Sequence, residues 1–255
     1  MATKPLSRWC LGLVSLTVAS LIAGCQTSTP TATNSSPPVS TDTAAAKPLS
    51  PSETFATISD IQKQPVWVRR LNTQDEVPAQ ENMNLRVGET IRTEGEALAQ
   101  VELKNGLSFR IGRNSVLTLQ PDNRLQLQAG EMIAWVEPGK KVPVEIETPV
   151  AIAGIRGTTV YINMPEDPKE GIEFFAWEGS VAVWFPNQTG ECLFKSGEQV
   201  KIQPGETDIH QVRQQVQKLP LQKLLKRRRQ SRLLNNFDQP LPTLPQIDKI
   251  VTPKT

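Results

Sequence analysis

The sequence is poor in the residues that most catalytic and metal sites require. It holds one histidine, one tyrosine and three cysteines in 255 residues, and aromatics make up 5%. A Ser/His/Asp triad or a zinc site would have to draw on His210. That residue sits in a glutamine-rich, helix-like segment, "IHQVRQQVQ", away from any cluster of strand ends. It reads as a solvated helix residue. Cys10 and Cys25 lie near the start of the chain. Cys192 is then left without a partner for a disulfide or a clustered metal site. No catalytic residue, metal or cofactor follows from such a composition. Residues 9–24, "WCLGLVSLTVASLIAG", form an uncharged apolar run. It is shorter than the roughly 20 residues a bilayer-spanning helix needs.

What precedes and follows that run sets an expected compartment. Residues 1–8 carry Lys4 and Arg8 and no acid, the charged-then-apolar layout of a secretory signal. The run ends in Leu21-Ile22-Ala23-Gly24-Cys25, which resembles the lipobox of bacterial lipoproteins. The resemblance implies a signal peptide over 1–24, removed before Cys25, and a diacylglycerol on the Cys25 sulfur. It places the chain in the bacterial cell envelope, lipid-anchored and periplasmic or surface-facing. Residues 25–52 are rich in Ser, Thr, Pro and Ala. They cannot bury enough apolar surface to fold and read as a disordered tether.

Residues 53–206 are long enough for one domain, and their pattern is β almost throughout. "PVWVRR" (65–70) is rich in β-formers. "ALAQVEL" (97–103) alternates, Asn105-Gly106 supplies a hairpin turn, and "LSFRIG" and "SVLTLQ" follow. "LQLQAGEMIAWV" (125–136), "VPVEIET" (142–148), "EFFAWEGSVAVWF" (173–185) and "QVKIQPGE" (199–206) continue the series. The pattern predicts an all-β fold, a sandwich, barrel or short β-helix.

"TPVAIAGIRGTTVYI" (148–162) tests that reading. A phosphate-cradling loop needs glycines that lead into a helix N-terminus. Here Gly157 leads into a β-branched run with strand preference. A nucleophile elbow would need a serine or cysteine at the turn, and none is present. The two glycines instead mark a bend: they allow backbone geometry that a side chain forbids, or close approach of a neighbouring strand.

This stretch resembles the signature of FecR-like domains, through Thr148, Pro149, Gly154, Arg156, Gly157 and Thr158. "VGETIRT" (87–93), "AQVELKNGLSFRIGRNSVLTL" (99–119), "LQLQAGEMIAWV", "FFAWEGSVAV" (174–183) and "SGEQVKI" (196–202) match the family in order. The resemblance implies a single FecR-like β domain, a sandwich or short β-helix, without enzymatic activity. In known members the domain relays a signal from outside the inner membrane to a cytoplasmic part that controls a sigma factor. Only eight residues precede the apolar run here, so a relay within this chain alone is not expected.

Beyond the β region, Ile209, Val212, Val216 and Leu219 share a helical stripe, and residues 207–237 read as a basic helical tail. Residues 238–255 are proline-rich and read as extended. The segment "KLLKRRRQSR" concentrates positive charge, and Lys223, Lys226, Arg227, Arg228, Arg229 and Arg232 are candidate contacts for an anionic surface.

Two functions fit these features. One is a lipid-anchored, non-catalytic binding or scaffold module that meets an envelope protein or cell-wall polymer. The other is a component of envelope or transmembrane signalling that works through a separate membrane partner. Export argues against nucleic acid, and no small-molecule substrate is inferred. A glycan-binding role would rest on Trp67, Trp135, Trp177 and Trp184, all on predicted strands, where tryptophan is more often core.

Overall fold

The computed structural model describes residues 55–155, 157 and 159–252. Six short strands come first: β1 (Ala56–Gln62), β2 (Val66–Arg69), β3 (Glu76–Pro78), β4 (Asn84–Leu85), β5 (Thr90–Thr93) and β6 (Leu98–Leu103). A hairpin of two 13-residue strands follows, β7 (Leu107–Leu119) and β8 (Arg124–Val136). Then come β9 (Val144–Glu147), β10 (Ile152–Ile155), β11 (Thr159–Met164), β12 (Ile172–Glu178), β13 (Ser180–Trp184), β14 (Cys192–Lys195) and β15 (Glu198–Ile202). The chain ends in α1 (Ile209–Gln214), β16 (Gln217–Lys218), α2 (Leu221–Gln230), α3 (Arg232–Asn235) and α4 (Leu244–Val251).

The long hairpin is a spine shared by two layers. The first half of β7 pairs with β6, and its second half pairs with β5. The last half of β8 pairs with β11, and its first residues pair with β9. One layer therefore runs β4-β1-β6-β7-β8-β11-β12-β15-β16. The other runs β3-β2-β5-β7-β8-β9-β10-β13-β14. All of these pairings are antiparallel except β8 with β9. The spine changes layer where its register shifts, between Gly112 and Val116. Arg113 and Asn114 adopt positive φ there, and Ser115 Oγ accepts a hydrogen bond from the Glu131 amide at 2.9 Å. A bulge of this kind bends a strand and strengthens its twist.

The core between the layers follows from alternation. β1 places Ala56, Ile58 and Asp60 on its buried face, and the two leucines of "RLQLQ" in β8 are buried while their neighbours are not. Ile58, Val101, Phe109 and Phe174 from the first layer join one apolar cluster with Val68, Leu117, Ile146 and Phe194 from the second. Each such side chain contributes about 1.5–3 kcal/mol on burial.

Alternation fails in two places, for one reason. Residues 130–136 of β8 and 172–177 of β12 are buried on both faces. Their outer faces carry Ile133, Trp135, Phe175 and Trp177. With Leu98, these pack against Leu224, Leu233, Leu234, Leu241, Ile247 and Val251 of the C-terminal region. α2, α3 and α4 form a third layer over the first sheet, whereas α1 adds Ile209 and Val212 to the inner core.

The tail departs from expectation in two respects. The helical stripe over 209–219 is cut short: α1 stops at Gln214, Gln217–Lys218 pairs with β15 instead, and α2 starts directly after Pro220. The proline-rich end is not extended throughout, because α4 occupies Leu244–Val251 with Ile247 and Val251 buried. Pro245 stands in its first turn, where a missing N–H costs nothing, and Ile247 and Val251 share one face.

Candidate functional site

The stretch 148–162 is the connection by which the chain passes from one layer to the other. β9 and β10 form a hairpin of the second layer, closed by Thr148. Its hydroxyl donates to the Ala151 carbonyl at 2.7 Å and accepts from the Ala151 amide at 3.2 Å. Pro149 suits such a turn because its φ is preset. After β10 the chain crosses into β11 of the first layer.

The two glycines serve different needs. A Cβ on Gly154 would lie 2.7 Å from the Trp184 ring on the neighbouring strand, so only glycine allows that approach. Gly157 has φ +64° with open space around it, so its requirement is conformational alone. Arg156, Thr158 and Cys25 lie outside the described residues. The corresponding passage from β12 to β13 occurs at Gly179. Glu178 and Gly179 therefore mark a corner between sheets, not a hairpin.

On the outer face of the first layer, α2 borders a cleft of about 580 Å³. One wall is sheet. Tyr161 donates its hydroxyl to Glu131 at 2.8 Å, and Glu131 also faces Arg113 at 3.8 Å. Burial first, and then the Glu131 charge, holds the Tyr161 phenol well above its usual pKa. The other wall is helix. Arg227 donates to Glu173 at 2.6 Å and lies over the rings of Phe175, at 4.6 Å, and Tyr161, at 5.6 Å. Trp177 is 2% exposed beneath it. Two buried donor atoms there, Trp177 Nε1 and Arg227 Nη1, have no hydrogen-bond partner.

The candidate basic residues divide. Arg227 is tied to Glu173. Arg228 donates to Asp248 at 2.7 Å, and Arg232 to Glu96 at 3.1 Å. These three fasten the tail to the domain and to itself. Lys223, Lys226 and Arg229 are exposed and make no ion pair among the described residues.

Arg110 holds the helical layer from below, although the sequence reading assigned it no role. It is almost wholly buried. It donates to Gln100 at 2.7 Å and to the carbonyls of Leu233 and Gln239, and it stacks 4.1 Å from Phe237. Burial lowers its pKa to about 10, partly offset by Asp60. The signal for this wall was the alternation of Glu131, Ile133 and Trp135, and of Glu173, Phe175 and Trp177. Acid and aromatic residues on a supposed solvent face mark a covered one. Trp135 and Trp177 lie under the helices, so they offer no open platform for a sugar.

His210 lies at the start of the short helix α1, exposed, with its ring near Arg213. Among the described residues no group of His, Cys, Asp and Glu side chains is placed to hold a metal. No described helix is long and apolar enough to cross a membrane.

No curated protein matches the chain. Two crystal structures of a proposed anti-sigma factor from Parabacteroides distasonis ATCC 8503 are similar, each at 18% identity. The TM-scores are 0.38 and 0.41, with 47% and 54% of this chain covered. The match spans 57% and 63% of those chains, less than two thirds. The family model described as FecR protein matches residues 89–182, from β5 through the spine hairpin and the crossover to β13. Over these residues the chain carries a match to the FecR family.

Proposed function

We propose that the chain is a non-catalytic, FecR-type regulatory module of the bacterial envelope, held at the membrane through Cys25 and acting by binding a separate membrane protein. The observation that carries this reading is the family match over the spine and crossover, the part of the fold that positions both sheets. The open cleft beside α2 supports it, because the matched strands build only one of its walls. The other wall comes from residues 199–232, beyond the match. The candidate anionic contact narrows to Lys223, Lys226 and Arg229, since Arg227, Arg228 and Arg232 are engaged within the chain.

Site-specific photo-crosslinking in the producing cell tests the reading. A crosslinker at exposed Gln230, on the rim of the cleft, should give one discrete adduct with a membrane protein. The same group at exposed Asp122, in the β7–β8 turn, should not. The absence of an adduct from Gln230, or adducts to wall polymer alone, would sink it. Mass spectrometry of the mature chain should find Cys25 diacylated, and Cys25→Ser should leave an uncleaved precursor.

A further inference from the structure

We infer that the cleft between α2 and the outer face of the first sheet binds a short acidic peptide segment. This rests on the binding reading above and gives its site and chemistry. Six cationic side chains line the cleft against two carboxylates, Glu131 and Glu173. Both carboxylates are already engaged, Glu131 by Tyr161 and Arg113 and Glu173 by Arg227. Arg232 is engaged by Glu96. Lys201, Lys223 and Lys226 are left on the rim, exposed and without an ion pair among the described residues. The excess charge of the cleft is therefore positive and available. Trp177 Nε1 and Arg227 Nη1, two buried donors on residues of the lining, lack acceptors. The free cations call for a ligand rich in acceptor oxygens; the two unpartnered donors are shut off from the cleft by burial.

The lining also chooses among acceptor-rich ligands. A sugar would need an open aromatic face, but Trp177 and Phe175 are buried and the Tyr161 ring lies under Arg227. A compact dianion such as phosphate would approach two wall carboxylates, whereas separate monoanionic side chains can reach separate lysines along the rim. Gln199 and Gln230 line the same cleft and offer both a donor and an acceptor to a peptide backbone. A volume of about 580 Å³ falls within the range of about 300–1,000 Å³ typical of ligand sites.

The test uses the full chain in detergent and a fluorescein-labelled tetraglutamate peptide, with tetraglutamine as its neutral counterpart. Fluorescence anisotropy at low salt should show binding of tetraglutamate only. Lys223→Gln with Lys226→Gln should weaken it at least tenfold. Lys141→Gln with Lys169→Gln, exposed lysines elsewhere, should change it less than twofold. Circular dichroism should show both double variants folded. Lack of tetraglutamate binding, or equal loss in both double variants, would overturn the inference. So would tighter binding of oligogalacturonate, or displacement by inorganic phosphate at equal charge concentration. A crosslinked partner at Gln230 without tetraglutamate binding would sink the acidic-peptide chemistry alone and leave the binding module standing.

Discussion

Arg110, in the middle of the sheet, donates through Nη1 to the main-chain carbonyl of Leu233 at 2.9 Å, across 123 residues of sequence. Among the described residues Arg110 has no ion pair, so its burial is compensated by hydrogen bonds to the Leu233 and Gln239 carbonyls and to Gln100, by the rings of Phe237 and Trp135, and by the charge of Asp60. The C-terminal helices are thus part of the folded domain, and the sheet beneath them is built to receive them.

Arg110→Leu should therefore loosen the helical layer. It leaves two main-chain carbonyls and the Gln100 amide oxygen without their donor, and each unsatisfied buried group costs about 1–3 kcal/mol. The expected loss is about 2–4 kcal/mol in urea unfolding. Tryptic cleavage within 223–232 should speed up about tenfold for each 1.4 kcal/mol lost from local closure. Cleavage at the parental rate would mean that the helices are held by other contacts.

The crossover glycines should respond differently to asparagine. Gly157→Val places a β-branched residue at φ +64° and should cost about 1–3 kcal/mol. Gly157→Asn should cost much less, since asparagine tolerates the left-handed region. At Gly154 the obstacle is the Trp184 ring 2.7 Å from the new Cβ, so Asn and Val should both destabilise. Equal midpoints for Gly157→Asn and Gly157→Val would refute the conformational account.

Arg227 and Arg229 stand two residues apart and should differ in consequence. Arg227→Gln leaves Glu173 buried without its cation. The Arg227 side chain is 26% exposed, so the cost should fall below the 3–5 kcal/mol of a fully buried pair, at about 1–3 kcal/mol. Arg229→Gln should stay within about 0.5 kcal/mol of the parent. Urea midpoints of the two variants check this, and similar values would show that the Arg227 pair contributes nothing net.

The inner core was legible because its strands obey a period of two: Leu125 and Leu127 point inward, and Gln126 and Gln128 do not. The FecR resemblance was carried by local features of that kind, turns and alternating strands in order. The helical layer was hidden for a physical reason. Leu233 and Leu234 fall off the stripe of Leu224 because the helix does not continue: Ser231 has extended backbone, φ −68° and ψ 110°, and α3 starts afresh. Three short helices each contribute one or two apolar residues, and no single period gathers them. The basic run fits a helix packed on the edge of the β domain or a contact for an anionic surface, and its sequence does not tell which charges are paired, because its acids, Glu96, Glu173 and Asp248, are distant in sequence or beyond the run. The cleft had no sequence signature of its own, since its walls come from separate strands and a helix.

Tyr161 gives a spectroscopic handle on the cleft wall, because it is the chain's one tyrosine. Its phenol is buried and bonded to Glu131, and both burial and the adjacent charge penalise the tyrosinate. An acid with a raised folded pKa stabilises the fold in its neutral form. That contribution is complete below the unfolded pKa of about 10 and is lost as pH rises through the folded value. Tyrosinate absorbance near 295 nm should therefore stay flat through pH 10 while circular dichroism reports a folded chain. In guanidinium chloride the same absorbance should titrate near 10. Glu131→Gln removes the neighbouring charge and keeps the burial, so its native titration should move part of the way down. Coincident native and denatured curves would mean that Tyr161 is open to water and that the wall is not as described.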